Sequence, residues 1–165
     1  LVPYSMVLMD RNFLYVSMGR CLISNSPNVL VSRGLGSCIA LCIYDIYNKL
    51  GVLAHILLPE GNDNTKPFYY VNLAVPEIIK ELKKRGSNKN LVWAKIIGGS
   101  NIFLNEENNL NIGTRNVNAV LKYLEKYNIR VVSTDLGGKC GRNVFFDLKD
   151  GSVKVFTYER GEYII

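Results

Sequence analysis

Apolar residues along the chain fall in short runs separated by polar, asparagine-rich breaks, and only two stretches carry a helical period. Residues 38–44, CIALCIY, and 51–58, GVLAHILL, are almost wholly apolar and are joined by the polar segment DIYNKL. Runs of this length without alternation read as strands covered on both faces, here the two arms of a buried hairpin. Upstream, FLYVSMGRCLIS (13–24) reads as strand material broken at Gly19, and NVLVS (28–32) as a short strand. GNDNTKP (61–67) is a polar loop. AVPEIIKELKKRG (74–86) places Val75, Ile78, Ile79 and Leu82 on one helical face and ends at Gly86, and Pro76 requires that this helix start just before it. LVWAKII (91–97) is a strand running into Gly98-Gly99. TRNVNAVLKYLEKYN (114–128) is a second helix with Val117, Val120, Leu121 and Leu124 as its stripe, and Thr114 or Asn116 is available to cap it. RVVSTDLGG (130–138) is a strand and turn, and NVFFDLKDGSVKVFTY (143–158) a hairpin turning at Asp150-Gly151.

Strands dominate, with two helices among them. The pattern predicts an α+β layered domain, two packed sheets with both helices covering one face, in a single domain over 13–165 preceded by an extension over 1–12. No βαβ ladder runs the length of the chain, which excludes a doubly wound nucleotide fold. The 165 residues, 48% hydrophobic and 21% charged, suffice to bury a real core. No apolar run reaches the roughly 20 residues of a membrane span, and LVPYSMVLMDRNF lacks the basic-then-apolar order of a secretory signal. A cytoplasmic protein that does not insert in a membrane is therefore expected. The four cysteines, Cys21, Cys38, Cys42 and Cys140, lack the paired spacing of a zinc site, and no metal or cofactor is expected. The formal net charge is +6, which suits an acidic partner. The densest basic cluster, KKR at 83–85, closes a helix, where cations belong in any case, and no basic stripe with interleaved aromatics marks a nucleic-acid binder.

Candidate chemistry centres on GLGSC, residues 34–38. A Walker loop would continue with Lys and Ser or Thr, and a dinucleotide fingerprint would continue with a third glycine and a helix; this segment does neither. A cysteine in such a place is most often a small buried hydrophobe. His55, the chain's single histidine, changes that reading. In a hairpin where Asp45 opposes Leu50, His55 opposes Ala40, and Cys38 is its diagonal neighbour on the same face. An imidazole beside a thiol can take its proton, and a third group commonly orients the imidazole. Ser32, Asp45 and Asp135 are candidates for that third group. Backbone N–H groups at Gly36 and Ser37, in a turn loosened by glycine, are candidates for an oxyanion hole. Arg115 and Arg142 are read as partner-binding or structural, and Cys21, Cys42 and Cys140 as inert.

Taken together, GLGSCIALCIYD, GVLAHILLP, KIIGGSNIF (95–103), NIGTRN (111–116) and DLGGKCGR (135–142) resemble, in order, the signature segments of the CheD family of chemoreceptor glutamine deamidases. The resemblance runs over residues 13–158. It implies a Cys-His-Thr site that converts receptor glutamines to glutamate, with some hydrolysis of glutamyl methyl esters, and in many organisms a CheC phosphatase as partner. It also implies a fold similar to that of a cysteine-dependent deamidating toxin. By position the nucleophile is Cys38 and the base is His55. The family threonine falls on Ser32, which keeps the hydroxyl and loses the methyl group that restricts its rotamer. The expected substrate is the cytoplasmic helices of chemoreceptors. The alternative is a non-catalytic binding module that regulates a CheC-like phosphatase.

Overall fold

The computed structural model describes residues 11–102 and 111–165. In chain order the strands are β1 (Phe13–Tyr15), β2 (Cys21–Asn25), β3 (Val29–Leu35), β4 (Ile39–Asp45), β5 (Leu50–Ile56), β6 (Val92–Gly98), β7 (Arg130–Leu136), β8 (Arg142–Asp147), β9 (Val153–Thr157) and β10 (Gly161–Ile164). The helices are α1 (Val71–Lys84) and α2 (Ile112–Lys126). The strands form two five-stranded sheets, an outer one ordered β1-β3-β8-β9-β10 and a central one ordered β2-β5-β4-β6-β7.

Both helices pack on one face of the central sheet, as expected. There Leu41, Val52 and Ile56 share a core with Val75, Ile78 and Leu124. The other face packs on the outer sheet, where Ala40, Cys42 and Leu53 meet Leu30, Val144 and Phe146. The central sheet is thus covered on both sides, and every residue of β4 and β5 is buried. This is why these two runs lack polar alternation. The hairpin register is the one deduced from loop length: Asp45 pairs with Leu50 and Ala40 with His55.

Several elements depart from the sequence expectations. The 13–24 stretch does not form one broken strand. Its halves go to different sheets, β1 parallel to β3 in the outer sheet and β2 antiparallel to β5 in the central one. Gly19 between them has φ +72° and lies against the Tyr69 ring, so both its backbone conformation and the lack of space require glycine. Strand β3 continues three residues beyond Ser32, with an irregular register between Ser32 and Leu35. GLGSC therefore carries the chain out of the outer sheet and into the central one. Helix α1 starts at Val71, so Pro76 lies in its second turn and not its first. Burial of Val71 and Ala74 on the same face as Ile78 outweighs the one backbone bond that Pro76 cannot make. Strand β10, too short to show a period, adds antiparallel to β9 at the sheet edge. β6 and β7 pair in parallel with α2 as the crossover, a single βαβ unit in an otherwise mostly antiparallel fold. Among the described residues no helix is long and apolar enough to cross a membrane.

Phe146 is fully buried between the sheets and makes an edge contact with Tyr44, tying β8 to β4. Phe146→Ala is expected to cost about 3–5 kcal/mol, read as a lower urea midpoint with an unchanged slope. A loss below about 1 kcal/mol would mean that the two sheets do not depend on this contact.

Candidate active site

The site lies where the chain crosses between the sheets. Ser32 sits on β3 of the outer sheet, His55 on β5 of the central sheet, and Cys38 at the residue before β4 begins. Ala40 and Cys42 face the inter-sheet core, and Cys38, two residues earlier, packs against the same core. His55 faces the same way, because its Nδ1 lies 2.8 Å from Ser32 Oγ, which belongs to the opposing sheet. Cys38 and His55 thus share a face, as the register required. Cys38 is partly exposed, whereas His55 and Ser32 are each 1% exposed.

A buried imidazole in an apolar strand needs hydrogen bonds, and here they determine which nitrogen carries the proton. Ser32 Oγ is also 3.3 Å from the Val16 carbonyl oxygen, which can only accept. When the hydroxyl donates to Val16, Nδ1–H of His55 donates to the hydroxyl, and the lone pair is left on Nε2. Nε2 is buried and, among the described residues, has no hydrogen-bond partner, the Cys38 thiol included. The structure therefore joins Ser32 to His55 and brings Cys38 to the same face without a hydrogen bond to the ring. Catalytic hydrogen bonds often tighten only when substrate is bound.

Burial also sets the charges. It pushes His55 below its ordinary value of 6.5, with the Val16 carbonyl acting in the opposite sense. It pushes the Cys38 thiol up, partly offset by the residue's own backbone N–H. Both shifts favour the neutral forms, a protonated thiol and an uncharged imidazole, over an ion pair. The other cysteines are also raised. Burial takes Cys21 to about 12 and Cys42 higher, and a hydrogen bond to Glu159 is the main cause at Cys140. Acidity does not distinguish Cys38 from the other cysteines; it differs from them in lying just before β4 on the face that carries His55.

The two acidic candidates for the third group lie elsewhere. Asp45 closes the far end of the hairpin, accepting from the Tyr47 and Asn48 N–H groups and from Ser87 Oγ. Asp135 is paired with Arg142 at 3.1 Å and accepts from the Tyr163 hydroxyl. Burial alone would raise Asp135, but these bonds outweigh it and hold its carboxyl low.

Gly36 and Ser37 form the crossing itself, and its carbonyls are anchored. Gly36 O accepts from Ser100 N–H and Cys38 O from Gly99 N–H, each at 2.9 Å. Ser37 O accepts from Asn116 Nδ2 at 2.9 Å. Asn116 therefore does not cap α2. The N-cap position is Asn111, with no side-chain cap bond, and Thr114 bonds Asn101. Gly98, at φ +116°, lies so close to the Cys38 carbonyl that a Cβ there would collide with it, so Gly98-Gly99 shapes the site by close approach. Arg142 holds this wall from behind, donating to Ser100 Oγ at 2.6 Å and to Gly137 O at 2.9 Å. From the sequence Gly98-Gly99 is expected to end a strand and wall the site, which the structure bears out; the parts played by Ser100 and Arg142 carry no such signal.

Comparison with known proteins gives this arrangement a family. A sequence model described as CheD chemotactic sensory transduction matches residues 57–157. The chain is 37% identical to the chemoreceptor glutamine deamidase CheD of Thermotoga maritima, over 90% of this chain and 94% of that one. It is 42% identical to a probable chemoreceptor glutamine deamidase CheD of Clostridium acetobutylicum, over 82% and 85%. A probable chemoreceptor glutamine deamidase CheD of the archaeon Methanococcus maripaludis is 40% identical over 86% and 93%. The chain belongs to the CheD family. The family model begins just past His55, but an alignment over 90% of the chain also spans the segment from Ser32 to His55.

The chain's single histidine makes its tautomer directly measurable. Nitrogen-15 NMR is expected to show Nδ1 protonated and Nε2 bare at neutral pH, with ring protonation centred below 6.5. Ser32→Ala should weaken that tautomer preference. A midpoint above 7 would mean that the ring is stabilised as imidazolium, contrary to the burial argument.

Proposed function

We propose that the chain is a chemoreceptor glutamine deamidase of the CheD family, with Cys38 as nucleophile, His55 as acid–base and Ser32 as the hydroxyl that orients it. The reading rests on the 2.8 Å contact between Ser32 and His55 Nδ1, which leaves the bare Nε2 buried on the face that carries Cys38. The names of the relatives supply the substrate class.

In the proposed reaction Cys38 Sγ attacks the side-chain carbonyl carbon of a receptor glutamine as His55 Nε2 takes the thiol proton. The carbonyl electrons move onto oxygen, which the N–H groups along the 36–38 crossing stabilise. Collapse of this intermediate breaks the C–N bond, the imidazolium gives its proton to the leaving nitrogen, and ammonia departs from a thioester. A water then loses a proton to Nε2 and adds to the thioester. Release of glutamate restores the thiol, with the net reaction amide plus water to carboxylate plus ammonium. Proton transfer accompanies attack because both partners start neutral. A glutamyl methyl ester would follow the same course with methanol leaving.

The substrate would be the cytoplasmic helices of chemoreceptors, which places the protein in the cytoplasm without insertion in a membrane. A net charge of +6 steers it toward acidic helices. Exposed Arg33 follows Ser32 and lies over the Tyr15 ring at 5.0 Å, and exposed Arg20 pairs by its backbone with His55. A CheC-like phosphatase is a second candidate partner, and nucleic acid is not a proposed partner. The alternative, a binding module without catalysis, draws on the missing hydrogen bond between Cys38 and His55.

Incubating the reduced protein with the cytoplasmic fragment of a chemoreceptor from the same organism separates the two. Each converted glutamine should add about one dalton and release one ammonia. Cys38→Ala should abolish conversion and keep binding within a few-fold. Raising salt should lower kcat/KM several-fold, chiefly through weaker association, because salt screens exposed charges over about 8–10 Å. Ser32→Ala should lose about tenfold or more in kcat with a small change in stability, and Ser32→Thr should retain activity. Binding without ammonia would select the binding module.

A further inference from the structure

Three successive carbonyls lie at the sheet crossing, and each is held. Backbone N–H groups of Ser100 and Gly99 hold the first and third, Gly36 O and Cys38 O. The middle one, Ser37 O, is held by a side chain, the Asn116 amide, across 79 positions of sequence. In a planar trans peptide the C=O and the following N–H point in opposite directions. A donor fixed on Ser37 O therefore turns the Cys38 N–H the other way. That N–H sits on the residue that carries the sulfur, within reach of the oxygen that a carbon attacked by the sulfur would bear.

The same Asn116 nitrogen donates to Leu57 O at 2.8 Å, two residues beyond His55. One amide group thus spans the chain just before the thiol and the chain just after the imidazole. Both protons of Nδ2 are engaged, and a flipped amide would set its oxygen against two carbonyls, so the orientation is fixed. Asn116 is fully buried, and α2 comes close enough to hold it there because Gly113 packs its backbone against the Gly99 and Ser100 carbonyls. Nothing about helix stability calls for a buried asparagine at this position, where an apolar residue would serve the helix–sheet core.

We propose that Asn116 is a positioning residue for the deamidation. Its amide nitrogen fixes the Ser37–Cys38 peptide so that the Cys38 N–H points at the developing oxyanion, and it ties that peptide to the strand carrying His55. The inference rests on the reading of Cys38 as nucleophile. The hydrogen bonds of the Asn116 amide go to the backbone on either side of the site, at Ser37 and Leu57, and not to the sulfur or the ring.

The test compares two reactions of one thiol. Deamidation builds an oxyanion, whereas alkylation by iodoacetamide forms a bond from sulfur to saturated carbon, expels iodide and builds none. Asn116→Ala and the near-isosteric Asn116→Asp, which removes the donors and keeps the volume, are assayed with the receptor fragment for kcat and KM. The alkylation rate at Cys38 is followed by mass spectrometry of its peptide. In either variant that unfolds cooperatively on heating, kcat should fall about 100-fold, the range seen when one oxyanion donor is lost. KM should stay within about threefold and alkylation within about twofold of wild type. A kcat loss under about threefold, or alkylation falling in step with kcat, would overturn the inference, the latter by showing a general distortion of the site. Cys38→Ala is run in parallel. If it still deamidates, the nucleophile assignment fails. If it is inactive while both Asn116 variants remain active, only the role given to Asn116 fails.

Discussion

The structure depends most on the double burial of the β4–β5 hairpin. With the outer sheet on one face and two helices on the other, nothing on these strands reaches bulk water. Polar groups placed there must find partners within the protein or remain available for chemistry. His55 divides between the two. Its Nδ1 is matched by Ser32 across the sheet gap, and its Nε2 is left unmatched. The same burial keeps the imidazole neutral and the thiol protonated, so the electrostatics of the site follow from the layering and not from charged neighbours.

The crossing from β3 to β4 explains the composition of GLGSC. A chain that leaves one sheet for the other within a few residues exposes backbone that neither sheet pairs. Here the exposed carbonyls are taken up by Ser100, Asn116 and Gly99. Glycines on both sides allow that approach, since a side chain at Gly98 would strike the Cys38 carbonyl. Arg142, buried and paired with the half-buried Asp135, secures Ser100 in turn, and through it the loop. A charged pair at this depth is retained where geometry matters, since breaking it leaves an unmatched charge.

How much of this was legible in the sequence depended on range. The facing of Cys38 and His55 could be read because a hairpin fixes register by counting, and Ala40 does pair with His55. The two helices followed from period alone, but the α2 stripe only in part: Val120 and Leu124 are buried, whereas Leu121 is exposed and the buried face runs through Asn116 and Ala119 instead. The split of residues 13–24 between two sheets did not, because strand alternation does not say which sheet a strand joins. Pro76 misplaced the start of α1 because local backbone preference was weighed without the packing of Val71 and Ala74. Asn116 was read as a cap because asparagine near a helix start usually is one, while its partners lie 79 and 59 positions away. Asp45 and Asp135 were plausible orienting groups by type. Only the fold shows that one closes a turn and the other neutralises an arginine.

A neutral site also bears on turnover under the proposed chemistry. The substrate carboxamide is uncharged and would enter the buried site at modest cost, provided its polar atoms find donors and acceptors. The product is a carboxylate, and an ion in the same site lacks a counter-charge when His55 is neutral. The burial that depresses the imidazole therefore discriminates against the product and promotes its release. Around the site the order reverses, because a chain at +6 favours the more acidic helix that each turnover creates. On the proposed chemistry the site would disfavour the new charge while the net charge of the chain favours the helix that bears it.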